Sequence, residues 1–277
     1  MTFPDLNPVA LQLGPLAIRW YALAYIAGIL LGWAYARRLI LQRALWGPQG
    51  VPVTVSQLDD LVLWITLGII GGGRLGYVLF YEPSVIWTAP VEILKVWTGG
   101  MSCHGGLIGV GLALWAFSRR TGGNLLALGD LIAPCAPIGL LFGRVANFIN
   151  GELWGRVTTE PWGMIFCNAH IKLQYGGACP AGLAPRHPSQ LYEALLEGLV
   201  LFLILRWATH RRLWLERRGA VTGLFLVAYG CSRIALENVR NPDLGMPVFP
   251  LGLTMGMMLS TPLVMVGAWL VIRARRS

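Results

Sequence analysis

Long apolar runs alternate along this chain with short polar connections, and the runs set its architecture. Seven of them, near residues 16–36, 57–80, 102–118, 127–147, 189–209, 219–238 and 250–272, are each long enough to cross ~30 Å of hydrocarbon. No ten-residue alternating pattern of a barrel is present. In a bilayer the backbone must satisfy its own polar groups, so the runs predict helices. The expected fold class is an all-α polytopic membrane protein of about seven transmembrane helices, one integral domain over 1–277. Residues 148–188, rich in glycine, proline and aromatics, should form a small outer head between the fourth and fifth runs. Residues 81–100, where Trp87 and Trp97 flank Pro83, Pro90 and Val91-Glu92-Ile93-Leu94-Lys95, look like an arm lying in the interface.

Composition supports this reading. Fifty-five per cent of residues are hydrophobic and 13% charged, and a mean hydropathy of +0.59 belongs to membrane proteins. The net charge of +9 is spread over loops between apolar runs, which argues against a nucleic-acid partner. Thirteen basic residues fall on one side, in clusters at 37–43, 119–120, 206–218 and 273–276. The other nine are scattered. The positive-inside rule therefore puts the N-terminus outside and the C-terminus in the cytoplasm. Met1-Thr2-Phe3-Pro4-Asp5 has neither a basic n-region nor a small-residue cleavage site, so no removable signal peptide is expected.

Cys103, Cys135 and Cys231 lie in apolar surroundings and read as core thiols. Cys167 and Cys179 share one polar loop with His170 and His187. The spacing C-x2-H-x8-C-x7-H fits no compact zinc pattern; a local disulfide, free thiols and zinc stay open, the first favoured by an oxidising compartment.

Charges and amides inside apolar runs need a reason to be there, because each charge costs ~3 kcal/mol at the bilayer centre. Arg144 could snorkel to the interface, but Arg144, Asn147 and Asn150 recur every third residue and could grip one anion together. Arg74 sits among Gly68, Gly71, Gly72, Gly73 and Gly76, which suit close helix packing better than a helix break. His104, followed by two glycines, can take a proton near neutral pH or serve structure. Tyr229, Arg233, Glu237 and Arg240 share one helical stripe. A salt-bridge ladder would explain it, yet two cations against one carboxylate leave a surplus that a phosphate could use. Pro188 and Glu193 suit a helix start, and Trp20-Tyr21 an aromatic belt.

Tyr21, Arg74, His104, Arg144, Asn147, Glu152, His187, Arg233, Glu237 and Arg240 all map to the outer half of the membrane. Together they describe an outward-facing cationic site reached from lipid. No D-x-x-D cluster for magnesium on a diphosphate is present, so neither metal nor cofactor is expected. A lipid or anion transporter (a flippase) would have a similar anion site, but the cytoplasmic arginines cluster in loops instead of lining a second face.

The stretch Gly143-Arg144-Val145-Ala146-Asn147-Phe148-Ile149-Asn150-Gly151-Glu152-Leu153-Trp154-Gly155 resembles the signature of the prolipoprotein diacylglyceryl transferase family. Trp20-Tyr21, Gly71-Gly72-Gly73-Arg74-Leu75-Gly76-Tyr77, Gly99-Gly100-Met101-Ser102-Cys103-His104-Gly105-Gly106, Arg186-His187-Pro188-Ser189-Gln190-Leu191-Tyr192-Glu193 and the Tyr229-to-Arg240 stripe extend the likeness from the first apolar run to the last. The resemblance implies a multi-pass enzyme of the bacterial inner membrane with a periplasmic head. It would move the diacylglyceryl group of phosphatidylglycerol to the lipobox cysteine of a preprolipoprotein. Under it, His104, Arg144, Arg233 and Tyr21 would be catalytic, and Arg144, Asn147, Glu152, Gly155, Glu237 and Arg240 would bind the lipid.

Overall fold

The computed structural model describes residues 1–96, 100–241, 249 and 252–276, without the side chains of Leu16 and Cys103. Trp97, Gly99 and the Cys103 thiol, which entered the expectations above, therefore lie outside the described residues. The fold is mostly helical but not all-α. A short antiparallel hairpin, β1 (Val9–Leu13) with β2 (Leu16–Arg19), precedes the first helix. The first apolar run is thus strand up to Arg19, and helix α1 covers Trp20–Leu41.

Helix α2 (Val55–Tyr81) opens with a capping box in which Thr54 and Gln57 satisfy each other's backbone amides. The helix then runs through its glycines and Arg74 to Tyr81, so the weaker reading of a break at Arg74 is wrong. A short helix α3 (Val85–Thr88) and a 3₁₀ turn (Pro90–Leu94) form the arm, with Trp87 84% and Leu94 75% exposed. Helix α4 (Cys103–Thr121) packs chiefly on α2. Small residues make that contact possible: a Cβ on Gly72 would lie 2.7 Å from Gly109 Cα, and one on Gly109 would meet the Gly68 carbonyl oxygen. Gly109→Ala should therefore push α2 and α4 apart. It should lower the thermal midpoint of the detergent-solubilised protein, at a cost of about 1–3 kcal/mol.

The fourth run is two helices, α5 (Leu125–Ile132) and α6 (Ala136–Ile149), bent by 42°. Pro134 and Pro137 at the break lack the amide hydrogens that a continuous helix would need. Next come α7 (Ala169–Gln174) in the head, then α8 (Ser189–Glu193), a π-helical segment (Ala194–Val200) and α9 (Leu201–His210) in unbroken succession. Helix α10 (Ala220–Leu236) pairs closely with α11 (Met255–Arg276). Among the described residues, α1, α2 and α11 are long and apolar enough to cross a membrane; the bent α5–α6 pair makes a fourth. Helix α10 is apolar but shorter.

The main core gathers Leu39, Leu58, Leu61, Leu128, Leu131, Leu201 and Leu205 from four helices, α1, α2, α5 and α9. The wide exposed apolar surface outside it, including Leu30, Leu63, Leu67, Leu112 and Met265, suits a lipid environment. Cys135 is buried as expected, but Cys231 is exposed on the bundle's outer surface and is not a core thiol.

The head has its own small core of Phe3, Phe166, Ile171 and Ala181. The sequence reading left the N-terminal segment outside the head. In the structure it is part of it: the Phe3 amide donates to Ile165 O at 3.0 Å, and the Phe3 ring lies 5.0 Å from Phe166. Cys167 and Cys179 are joined by a disulfide, which closes the alternatives of free thiols and zinc.

Candidate active site

Arg144 lies in the last turns of α6, and the buried Glu193 of α8 meets it: Arg144 Nε donates to Glu193 Oε2 at 2.8 Å. Arg144 Nη2 is 3.7 Å from Glu197 Oε2 in the π-helical segment. From α10, Arg233 Nη1 stands 3.5 Å from Glu193 Oε2 and 3.9 Å from Glu197 Oε1, while its Nη2 contacts Glu237 Oε1 at 2.9 Å. Just beyond α10, Arg240 Nε is 3.7 Å from Glu193 Oε1 and its Nη1 3.5 Å from Glu237 Oε1. Three guanidiniums and three carboxylates from three parts of the chain thus form one buried cluster.

This corrects the reading of a surplus cation on the Tyr229-to-Arg240 stripe. Glu193 does more than favour a helix start; its carboxylate contacts all three arginines. Glu197 escaped notice altogether. The signal was present: a glutamate inside the apolar run 189–209 needs a reason as much as Arg144 does. Buried charges persist only when paired, so Arg144 and Glu197 should have been sought as partners. The π-helical segment, a feature that often marks functional sites, carries Glu197 beside Glu193 on the same inner face.

A second group adjoins the first through α6. Asn147, one turn on from Arg144, donates from Nδ2 to Glu152 Oε1 at 2.7 Å and to the Tyr21 hydroxyl at 3.2 Å. Asn150 caps the helix end and reaches Glu152 only at 3.5 Å. The Glu152–Leu153 turn is held from α8, since Gln190 Nε2 donates to Glu152 O and Ser189 Oγ to Leu153 O at 3.0 Å. Leu153 has a positive φ of 57°, which a branched side chain adopts only when its surroundings enforce it. The apolar members of the same stretch face away: Phe148 and Trp154 pack against the head core. One thirteen-residue segment therefore joins head to cluster.

Gly155 is a joint in the backbone. Its amide donates to His187 O at 2.8 Å and it bridges Arg240, where a Cβ would lie 2.5 Å from Val239 O. Arg156 Nε donates to Arg240 O at 2.9 Å and Arg186 Nη1 to Gly155 O at 3.2 Å, so both arginines bind backbone carbonyls around that joint. His187 faces the Tyr192 hydroxyl at 3.2 Å. Arg74 is placed apart from the cluster: its guanidinium donates to the carbonyls of Glu92, Ile93 and Gly100 and fastens the arm to α2. His104 stands in the first turn of α4, below the Ser102 cap that accepts from Gly105 N at 3.2 Å. That turn is docked on α2 by the Ser102 amide, which donates to Gly73 O at 2.9 Å.

The described geometry thus joins Arg144, Arg233, Glu237 and Arg240 in one cluster and Tyr21, Asn147 and Glu152 in a second, while His104 is placed by the α2–α4 pair. Guanidiniums beside amides and a hydroxyl suit a phosphate and a polyol.

The family model described as prolipoprotein diacylglyceryl transferase matches residues 8–273. A phosphatidylglycerol–prolipoprotein diacylglyceryl transferase of Phenylobacterium zucineum is 61% identical over all of this chain and 95% of its own length. Proteins of the same name from Caulobacter vibrioides (60% identity, 98% of this chain, 94% of theirs) and Rhizobium leguminosarum (49%, all of this chain, 94% of theirs) are similar as well. The chain belongs to the prolipoprotein diacylglyceryl transferase family.

Proposed function

We propose that this protein transfers the diacylglyceryl group of phosphatidylglycerol to the lipobox cysteine thiol of a preprolipoprotein, the first step of lipoprotein maturation. Relatives named phosphatidylglycerol–prolipoprotein diacylglyceryl transferase match 98–100% of the chain. The observation that carries the reading is the buried arginine–glutamate cluster beside Asn147, Glu152 and Tyr21. A transporter is not favoured by any of these features.

In the proposed reaction the cysteine thiol loses its proton to His104, and the sulfur attacks the glycerol carbon that bears the phosphate. The C–S bond forms as the C–O bond breaks, and the electron pair leaves on the phosphate oxygen as glycerol phosphate departs. A thiol of pKa ~8.5 is mostly protonated at neutral pH, so a base raises the reactive fraction. Arg144 and Arg233 bind the phosphate and stabilise the charge that develops on it. Glu237 holds Arg233 and Arg240, while Asn147 and Glu152 bind the glycerol headgroup with Tyr21 alongside. Gly155 contributes by letting the loop approach Arg240. The reading needs no cofactor and no metal.

We place the protein in the bacterial inner membrane with seven passes, the N-terminus and the 148–188 head in the periplasm, and the C-terminus in the cytoplasm. The helix ends support this. Arg37 and Arg38, Arg119 and Arg120, and Arg273, Arg275 and Arg276 lie at the C-terminal ends of α1, α4 and α11, whereas Tyr21 and His104 lie at the N-terminal ends of α1 and α4. The arm, with its exposed Trp87, Val91 and Leu94, would rest in the outer interface.

The test uses purified protein, phosphatidylglycerol and a lipobox peptide. The expected result is a diacylglyceryl mass increment on the peptide cysteine, with one glycerol phosphate released per adduct. Folded protein that gives no adduct would overturn the reading.

A further inference from the structure

The cluster contains two carboxylates that take no step in the proposed chemistry, Glu193 and Glu197. Glu197 is wholly buried, and neither of its oxygens makes a hydrogen bond among the described residues. Its approaches to Arg144 and Arg233, at 3.7 and 3.9 Å, exceed hydrogen-bond length. Glu193, by contrast, orients Arg144 directly at 2.8 Å. Glu193 is a strut, and Glu197 acts on the same arginines mainly through its charge.

Substrate and product differ in the charge they bring to these arginines. A phosphodiester headgroup carries one negative charge, whereas a phosphate monoester carries about 1.5 to 2 at neutral pH. A cluster of bare arginines would therefore hold the product more tightly than the substrate and slow its departure. A fixed carboxylate behind the arginines opposes both anions, and the more highly charged one in greater measure.

We propose that Glu197 is a counterion that limits the site's affinity for the departing phosphate monoester, so that product leaves and the next lipid enters. This deepens the phosphatidylglycerol reading above and rests on it. Glu197 does not touch the reacting atoms; it acts through Arg144 and Arg233, and the π-helical segment holds it at that distance.

Glu197→Gln tests this cleanly, because the amide has nearly the same shape and no hydrogen bond is lost. The measurements are the inhibition constant of glycerol phosphate against phosphatidylglycerol, and KM and kcat for the lipid. The inhibition constant should fall on the order of tenfold, with a smaller fall in KM. Glu197→Asp, which keeps the charge, should retain the wild-type ratio of the two constants. Glu197→Met repeats the neutralisation with a side chain of similar volume, and the tightening is required of whichever neutral variant folds with the wild-type thermal midpoint. An inhibition constant that is unchanged or raised in that variant overturns the proposal, as does equal tightening in Glu197→Asp. If the wild-type enzyme forms no diacylglyceryl adduct from phosphatidylglycerol, the lipid reading itself fails, and the counterion with it.

Discussion

Arg144→Ala is expected to lower the turnover of phosphatidylglycerol by about 100- to 1,000-fold, the loss found when one pre-placed donor to a developing anion is removed. It should also destabilise the fold. Glu193 and Glu197 are fully buried, and removing Arg144 leaves Glu193 to Arg233 and Arg240 and Glu197 to Arg233. Breaking a buried pair from one side costs about 3–5 kcal/mol. The two consequences can be separated. Adding Glu193→Gln to Arg144→Ala removes the stranded charge, so the double variant should regain much of the thermal midpoint. It should not regain turnover, because the guanidinium is still missing. Recovery of both would make Arg144 a structural partner of Glu193 and nothing more. Arg144→Lys should fall between: it keeps a charge but loses the planar fork that can meet a carboxylate and a phosphate together.

That cluster also shows how far the sequence could be read. Arg144, Arg233 and Glu237 were visible because each interrupts an apolar run, which is costly in hydrocarbon, and Arg240 because it continues the stripe of Arg233 and Glu237. Their neutralisation was not visible. Glu193 and Glu197 come from a part of the chain about fifty residues beyond Arg144, and no periodicity within one helix links them. The same limit hid the N-terminal contribution to the head, where Phe3 packs on Phe166 with helices α1 to α6 between them in the sequence. Apolar runs predicted where helices lie but not their ends, because hydropathy does not distinguish Leu16–Arg19 as a strand from the helix that follows. It also passes over the prolines that divide α5 from α6 and the π-helical turn around Glu197. Arg74 looked like a site residue by the same cost argument as Arg144. The difference is local: carbonyls of the adjoining arm occupy its donors.

His104→Gln tests the proton transfer and has a pH signature of its own. A positioned general base contributes roughly 10²–10⁴-fold, so thioether formation at pH 7 should fall within that range. Glutamine fills a similar space and can hydrogen-bond, but it cannot accept the thiol proton. The loss should shrink as the pH rises. With a thiol pKa of ~8.5, only about 3% of the substrate cysteine is thiolate at pH 7, against roughly three-quarters at pH 9. The variant depends on that preformed thiolate, so its rate should climb about 25-fold over this interval. The wild-type rate should climb less, since its base already supplies thiolate at pH 7. If the variant and the wild type rise in parallel, His104 is not the base. Its place in the first turn of α4, against the glycine-lined face of α2, would then be reason enough for it.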